Sequence, residues 1–136
     1  MRFIYLITVC IVLAGCSSTP ADLEAKATPV VRTYPENYQE IYRRVSSNAK
    51  RCYAGNVGAY SSFAVDSELY PDLGYGELTL SLINYGSRNY YLSVRVEKNG
   101  SSGAKLTARA GNTLAADRRI EEILNFASGG QDCPVM

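Results

Sequence analysis

Glu77–Ala110 reads ELTLSLINYGSRNYYLSVRVEKNGSSGAKLTARA, and its alternation decides the fold. From Glu77 to Tyr85, Leu78, Leu80 and Leu82 fall on one side. From Tyr90 to Lys98, Tyr90, Leu92, Val94 and Val96 share a side, opposite Tyr91, Ser93, Arg95 and Glu97. From Ala104 to Ala110, Ala104, Leu106 and Ala108 oppose Lys105, Thr107 and Arg109. A period of two with one apolar side marks a half-buried strand. Gly86-Ser87-Arg88-Asn89 and Asn99-Gly100 supply the turns between these runs. One step upstream, Tyr60–Leu69 alternates through Phe63, Val65 and Leu69. Pro71-Asp72-Leu73-Gly74 then turns the chain, because Pro presets φ and Gly accepts φ > 0. Four alternating segments in succession predict an antiparallel sheet with one wet face.

Helical periodicity flanks the sheet on both sides. Thr33–Cys52 places Tyr38, Ile41, Tyr42, Val45, Ala49 and Cys52 at steps of three and four. Thr33 and Glu36 have capping-box spacing, and Pro35 suits a first turn. After the sheet, a helix capped by Asn112 or Thr113 carries Ala116, Ile120, Ile123, Leu124 and Ala127 as its stripe, and Gly129-Gly130 stops it. The expected fold is α+β: a four-stranded antiparallel sheet with an N-terminal and a C-terminal helix on one face, in the order α-β-β-β-β-α.

Composition narrows the chemistry. Among 136 residues there is no His and no Trp. Without His there is no Ser-His or Cys-His nucleophile, no H-E-x-x-H zinc motif, and no ordinary proton shuttle near pH 7. Net charge is +1, and Arg2 is the only charge in residues 1–15. A chain balanced in this way lacks the clustered cations that nucleic acid requires, so no nucleic-acid partner is expected. It also lacks a polybasic patch for anionic lipid.

Leu13-Ala14-Gly15-Cys16 follows an apolar run, Phe3 to Leu13, with Arg2 before it. As a helix that run would span about 17 Å against a hydrocarbon core of about 30 Å, which suits a signal peptide and not a transmembrane helix. The tetrad resembles the lipobox of bacterial lipoproteins. The resemblance implies a diacylglycerol on the Cys16 thiol, cleavage before Cys16, and acylation of the new amine with a palmitate-type chain. Two or three chains anchor stably where one is marginal. Ser17, where Asp would favour inner-membrane retention, implies an outer-membrane location facing the periplasm. The expected division is residues 1–15 as signal peptide, 16–32 as lipidated Cys and flexible tether, and 33–136 as one globular domain. A tether of that length would hold the domain at a mean distance of roughly 22 Å. The α-β-β-β-β-α order is also similar to the helix-grip domains of some small envelope lipoproteins, a likeness of element order alone.

Of the four cysteines, Cys10 would leave with the signal peptide and Cys16 would carry lipid. Cys52 and Cys133 remain, and an oxidising compartment favours pairing them. Geometry opposes it at first sight. A four-strand meander returns the chain to its starting end, so the flanking helices run antiparallel and Cys133 lies far from Cys52. Either residues 53–59 cross the molecule, or one strand is misassigned, or the last helix lies obliquely.

No motif points to catalysis. Ser47-Asn48-Ala49-Lys50 and Ser102-Gly103-Ala104-Lys105 match S-x-x-K, but S-D-N and K-T-G are missing. Gly74-Tyr75-Gly76 lacks the third Gly of a phosphate loop. Asp66, Glu68 and Glu77 read as a solvated face balanced by Arg95, Lys105 and Arg109. No cofactor or metal is expected. Tyr70, Tyr75, Tyr85 and Tyr91, with Arg95 and Arg109, form the candidate binding surface, since Tyr brings apolar area with a polar tip. The leading expectation is a non-enzymatic, membrane-anchored envelope lipoprotein that binds or assembles another envelope component, most simply a protein. The alternatives are a small lipid or glycan carrier with a cavity between helices and sheet, and a glycan hydrolase using Glu68 or Glu77.

Overall fold

A computed structural model describes residues 19–111 and 114–134. The lipobox, Cys10 and the caps at Asn112 and Thr113 lie outside the described residues. Along the chain the elements are α1 (Pro20–Lys26), β1 (Val30–Tyr34), α2 (Tyr38–Tyr53), β2 (Gly55–Gly58), β3 (Ser61–Tyr70), a 3-10 turn (Pro71–Leu73), β4 (Tyr75–Asn84), β5 (Ser87–Asn99), β6 (Gly103–Ala110) and α3 (Ala116–Ala127). The class is α+β, but the expected four strands and two helices are corrected. The sheet has six antiparallel strands in the order β1-β6-β5-β4-β3-β2, and three α-helices accompany it.

Strands β3 to β6 are the expected meander. Both added strands sit on its edges. β1 pairs with β6 from Val30 opposite Ala108 to Tyr34 opposite Ala104. Thr33 and Tyr34 therefore belong to a strand and not to a helical first turn. The helix starts at Tyr38, where the Asn37 side chain accepts from the Gln39 N–H at 2.8 Å. Two caps compete in this stretch, and β1 wins because Val30, Val31 and Thr33 are β-branched and β6 offers an open edge. β2 pairs only with the start of β3. Its sequence, Gly-Asn-Val-Gly, is too short to show a period. Residues 20–34, most of which fell within the expected tether, are thus a helix and an edge strand. α1 is held by a capping box between Thr19 and Asp22, Pro20 in its first turn, and one buried residue, Leu23.

Both long helices lie on one sheet face. α2 buries Tyr38, Ile41, Val45, Ala49 and Tyr53, while α3 buries Ile120, Ile123, Phe126 and Ala127. They pack on Leu78, Leu80, Leu92, Val94, Val96, Leu106 and the fully buried alanines Ala104 and Ala108. The alanines let helix and sheet approach closely. Gly76 does the same for Tyr42: a Cβ there would lie 2.5 Å from the Tyr42 ring, closer than packed atoms tolerate.

The cysteines do pair. Cys52 and Cys133 form a disulfide with Cα atoms 5.2 Å apart. The helices are antiparallel, as the meander requires. Near one end the Tyr53 hydroxyl donates to the Glu122 carboxylate at 2.5 Å, and further down Arg44 donates to the Ala127 carbonyl at 3.3 Å. The chain then reverses at Ser128–Gly130, with Gly129 at φ +100°. The tail runs back along α2. Asn48 donates to the Gly130 carbonyl at 3.4 Å, Arg51 donates to the Gln131 carbonyl, and Cys133 meets Cys52. From Arg44 to Cys52 is about 12 Å of helix, which six residues of tail span easily.

Candidate functional site

The sheet's second face is open and polar. Register places its outward residues in rows across the strands. One row runs Thr33, Lys105, Glu97, Tyr75, Tyr70. The next runs Val31, Thr107, Arg95, Glu77, Glu68, and a third runs Arg109, Ser93, Thr79, Asp66. Alternation alone puts these residues outside, because their neighbours in each strand fill the core.

Four of the six expected surface residues meet here. The Arg95 guanidinium lies 3.8 Å over the Tyr75 ring, and Tyr75 lies 5.0 Å from Tyr70. Arg95 also pairs with Glu77 at 2.7 Å and Glu97 at 3.3 Å, while Lys105 pairs with Glu97. Hydrogen bonding from Lys105, and then from Arg95, holds the Glu97 carboxyl below the usual carboxylate range. A depressed folded-state pKa adds stability above the unfolded-state value, and that stability is lost as pH falls through the folded one. The Tyr70 hydroxyl donates to Glu68 at 2.8 Å, and this bond pushes the Tyr70 hydroxyl up to about 12. Asp66 pairs with Arg88 at 2.5 Å. Glu68 and Glu77 face each other across β3 and β4, yet each is committed to a neighbour, Tyr70 and Arg95 respectively. Arg109, the fourth of the meeting residues, lies on the same face, and its Nε is buried without a partner.

The other two expected residues lie elsewhere. Tyr85 sits in the β4–β5 turn at φ +47°, stacked on Tyr60 at 5.2 Å and mostly exposed. Tyr91 is turned to the helix side. Leu80 opposes Leu92 but Ser81 opposes Tyr90, so Tyr91 is the extra residue of a β-bulge. Beyond the bulge the alternation inverts. Tyr91 packs edge-on to Phe63 at 6.2 Å with the Arg119 guanidinium 5.1 Å from its ring, while Tyr90 faces outward beside Arg88. The Ser47 hydroxyl, from one S-x-x-K match, donates to the Arg43 carbonyl, an ordinary helix-surface bond.

A second feature bears on the carrier alternative, which expected a cavity between helices and sheet. A cleft of about 730 Å³ opens between α1, the start of α3 and the adjoining ends of β1, β5 and β6. Leu23, Val30, Ala110, Ile120 and Tyr91 line it, with Asp22, Lys26 and Asp117 as its charged residues. It exists because α1 docks, and the Thr19-Pro20-x-Asp22 cap was the signal that could have revealed it. Among the described residues no cluster of three or more acidic or Cys side chains could hold a metal. No described helix is long and apolar enough to cross a membrane.

No protein-family model matches the chain, and no curated protein matches it. Two solved structures are similar to it. DynU16, a protein from the dynemicin biosynthetic locus, is 13% identical with a TM-score of 0.41 over 74% of this chain; the match spans 44% of DynU16, less than half its length. The Mll3558 protein from Rhizobium loti is 14% identical with a TM-score of 0.41, over 75% of this chain and 92% of its own.

Proposed function

We propose that this chain is a non-enzymatic envelope lipoprotein, anchored through lipid on Cys16, whose domain binds another envelope component through its outer sheet face. One observation carries the anchored half: the run Leu13-Ala14-Gly15-Cys16 directly after an apolar segment, with a folded element beginning at Pro20. The anchor chemistry follows from the lipobox resemblance, and the near-neutral charge leaves lipid as the attachment. The Cys52–Cys133 disulfide suits an oxidising compartment such as the periplasm. The outer face supports the binding half. It combines the half-buried Tyr70 and Tyr75, an arginine stacked on Tyr75 and a cation without a partner, the residue types that anchor interfaces.

The structure changes the reach of such an anchor. α1 docks on β5 and β6 through Leu23, so only the three steps from Cys16 to Thr19 separate the proposed lipid from the folded domain. That chain spans at most about 11 Å. A domain held so closely works at the membrane surface.

Protein extracted from its own membrane with detergent should have the mass of Cys16–Met136 plus diacylglyceryl, with or without a further acyl chain. A mature chain that starts elsewhere, or carries no lipid, overturns the anchored reading. The cleft supports a second reading, a carrier for a small amphiphile. Native mass spectrometry of the delipidated domain tests it, and repeatedly empty protein counts against it.

A further inference from the structure

We propose that Arg109 seats a carboxylate supplied by a partner protein on the outer sheet face. This rests on the outer-face reading above and names what that face recognises.

Arg109 differs from every other described charge on its face. Asp66 is paired with Arg88, while Glu77, Arg95, Glu97 and Lys105 form one chain of ion pairs. Among the described residues, no ion pair or hydrogen bond involves the Arg109 guanidinium, and its Nε is buried with none. A buried, unpaired N–H of a charged group costs about as much as the bond it lacks. The isolated domain carries that cost. A ligand that draws the guanidinium outward, with its Nε–Nη edge facing the newcomer, relieves it.

The surroundings select the ligand. Across β5 and β4, Arg109 continues into the buried Ser93 and the half-buried Thr79, whose hydroxyls can donate to an anion once the Arg109 side chain moves outward. One row further on, Ser81 is fully buried and its hydroxyl also lacks a partner. The site therefore offers hydroxyl donors around a single free positive charge. On two sides stand carboxylates, at Glu77 and Glu97 and at Asp66, each already paired. One guanidinium fork fits one singly charged carboxylate in bidentate geometry. A phosphate dianion would bring a second negative charge toward those carboxylates with no second free cation to meet it. The carboxylate source that fits is an Asp or Glu side chain of a partner protein in the envelope.

The test is a titration of the full-length lipidated protein in detergent micelles, at constant ionic strength, following arginine Nε–H resonances by NMR. Acetate is the probe and inorganic phosphate the comparison. The Arg109 Nε–H resonance should move saturably with acetate, while that of Arg95, already held by Glu97, should not. Arg109→Lys, with an otherwise unchanged amide spectrum, should weaken the acetate response at the Ser93 and Thr79 amides roughly tenfold, the loss of one charge-assisted hydrogen bond. Arg109→Gln should abolish it. No saturable movement at Arg109, or phosphate bound as tightly as acetate, overturns the proposal. A partner crosslinked from Arg95 whose yield is unchanged by Arg109→Lys also removes the seat, while the outer-face reading stands.

Discussion

Cys52→Ser should lower the stability of the oxidised domain by about 4 kcal/mol, through the loop-closure entropy that a bridge across so long a separation removes from the unfolded chain. The bridged residues are 81 apart in sequence. For a domain of this size the melting midpoint should fall by about 15 °C. Few single changes to this protein should act more strongly, because the bridge also holds the returning tail. Without it, the contacts of Arg51 with Gln131 and of Asn48 with Gly130 lie on an exposed strand of chain with little apolar burial. Cys133→Ser should behave the same way, and reduced wild type should match both. The comparison is made by thermal melts with and without reductant. Equal midpoints for oxidised and reduced wild type would contradict the bridge.

On the proposed anchor, replacing residues 1–16 by an ordinary cleavable secretory signal should move the protein from the membrane to the soluble fraction while leaving its fold intact. Acyl chains contribute about 0.8 kcal/mol per buried CH₂, so on the proposed anchor losing two or three of them removes the attachment. Nothing else in the described chain replaces it. No described helix can span a membrane, and the balanced charge gives anionic lipid little to attract. The fold should survive because Cys16 precedes the first folded element at Pro20. Membrane fractionation and the far-UV spectrum of the released protein read both halves. A variant still bound to membranes would place the attachment elsewhere.

Much of this fold can be read from the sequence, and the failures have physical causes. The four central strands alternate cleanly because one side packs on helices and the other meets water. Both long helices show their stripes for the same reason, although Phe126, fully buried, lay outside the expected one. β1 was hidden by a decoy: Thr33 and Glu36 have capping-box spacing, but β6 had an edge to fill and claimed Thr33 for the sheet. β2 has too few residues to carry a period. α1 is too short to be stable alone and exists through tertiary contact, which periodicity does not report.

The site was legible in part for related reasons. Tyr70, Tyr75, Arg95 and Arg109 meet because strict alternation brings them to one face. Tyr91 does not join them, since one extra residue in β5 inverts every position beyond it. A cavity between helices and sheet was among the expectations, but its α1 wall could not be foreseen while α1 was counted as tether. The cysteine pair was expected from compartment chemistry against the apparent geometry. Gly129-Gly130 resolves the conflict: it ends α3 and also sends the tail back along α2.

Binding through the outer face is tested most directly by photo-crosslinking in the native envelope. A photoreactive residue is placed in turn at Arg95, Arg109 and Tyr91 of the full-length protein. Arg95 and Arg109 lie on the outer face, while Tyr91 packs on the helix side against Phe63. The same specific adduct should form from Arg95 and Arg109, and it should be absent from Tyr91. No adduct from either outer-face position, or an adduct from Tyr91 alone, would contradict the proposed surface.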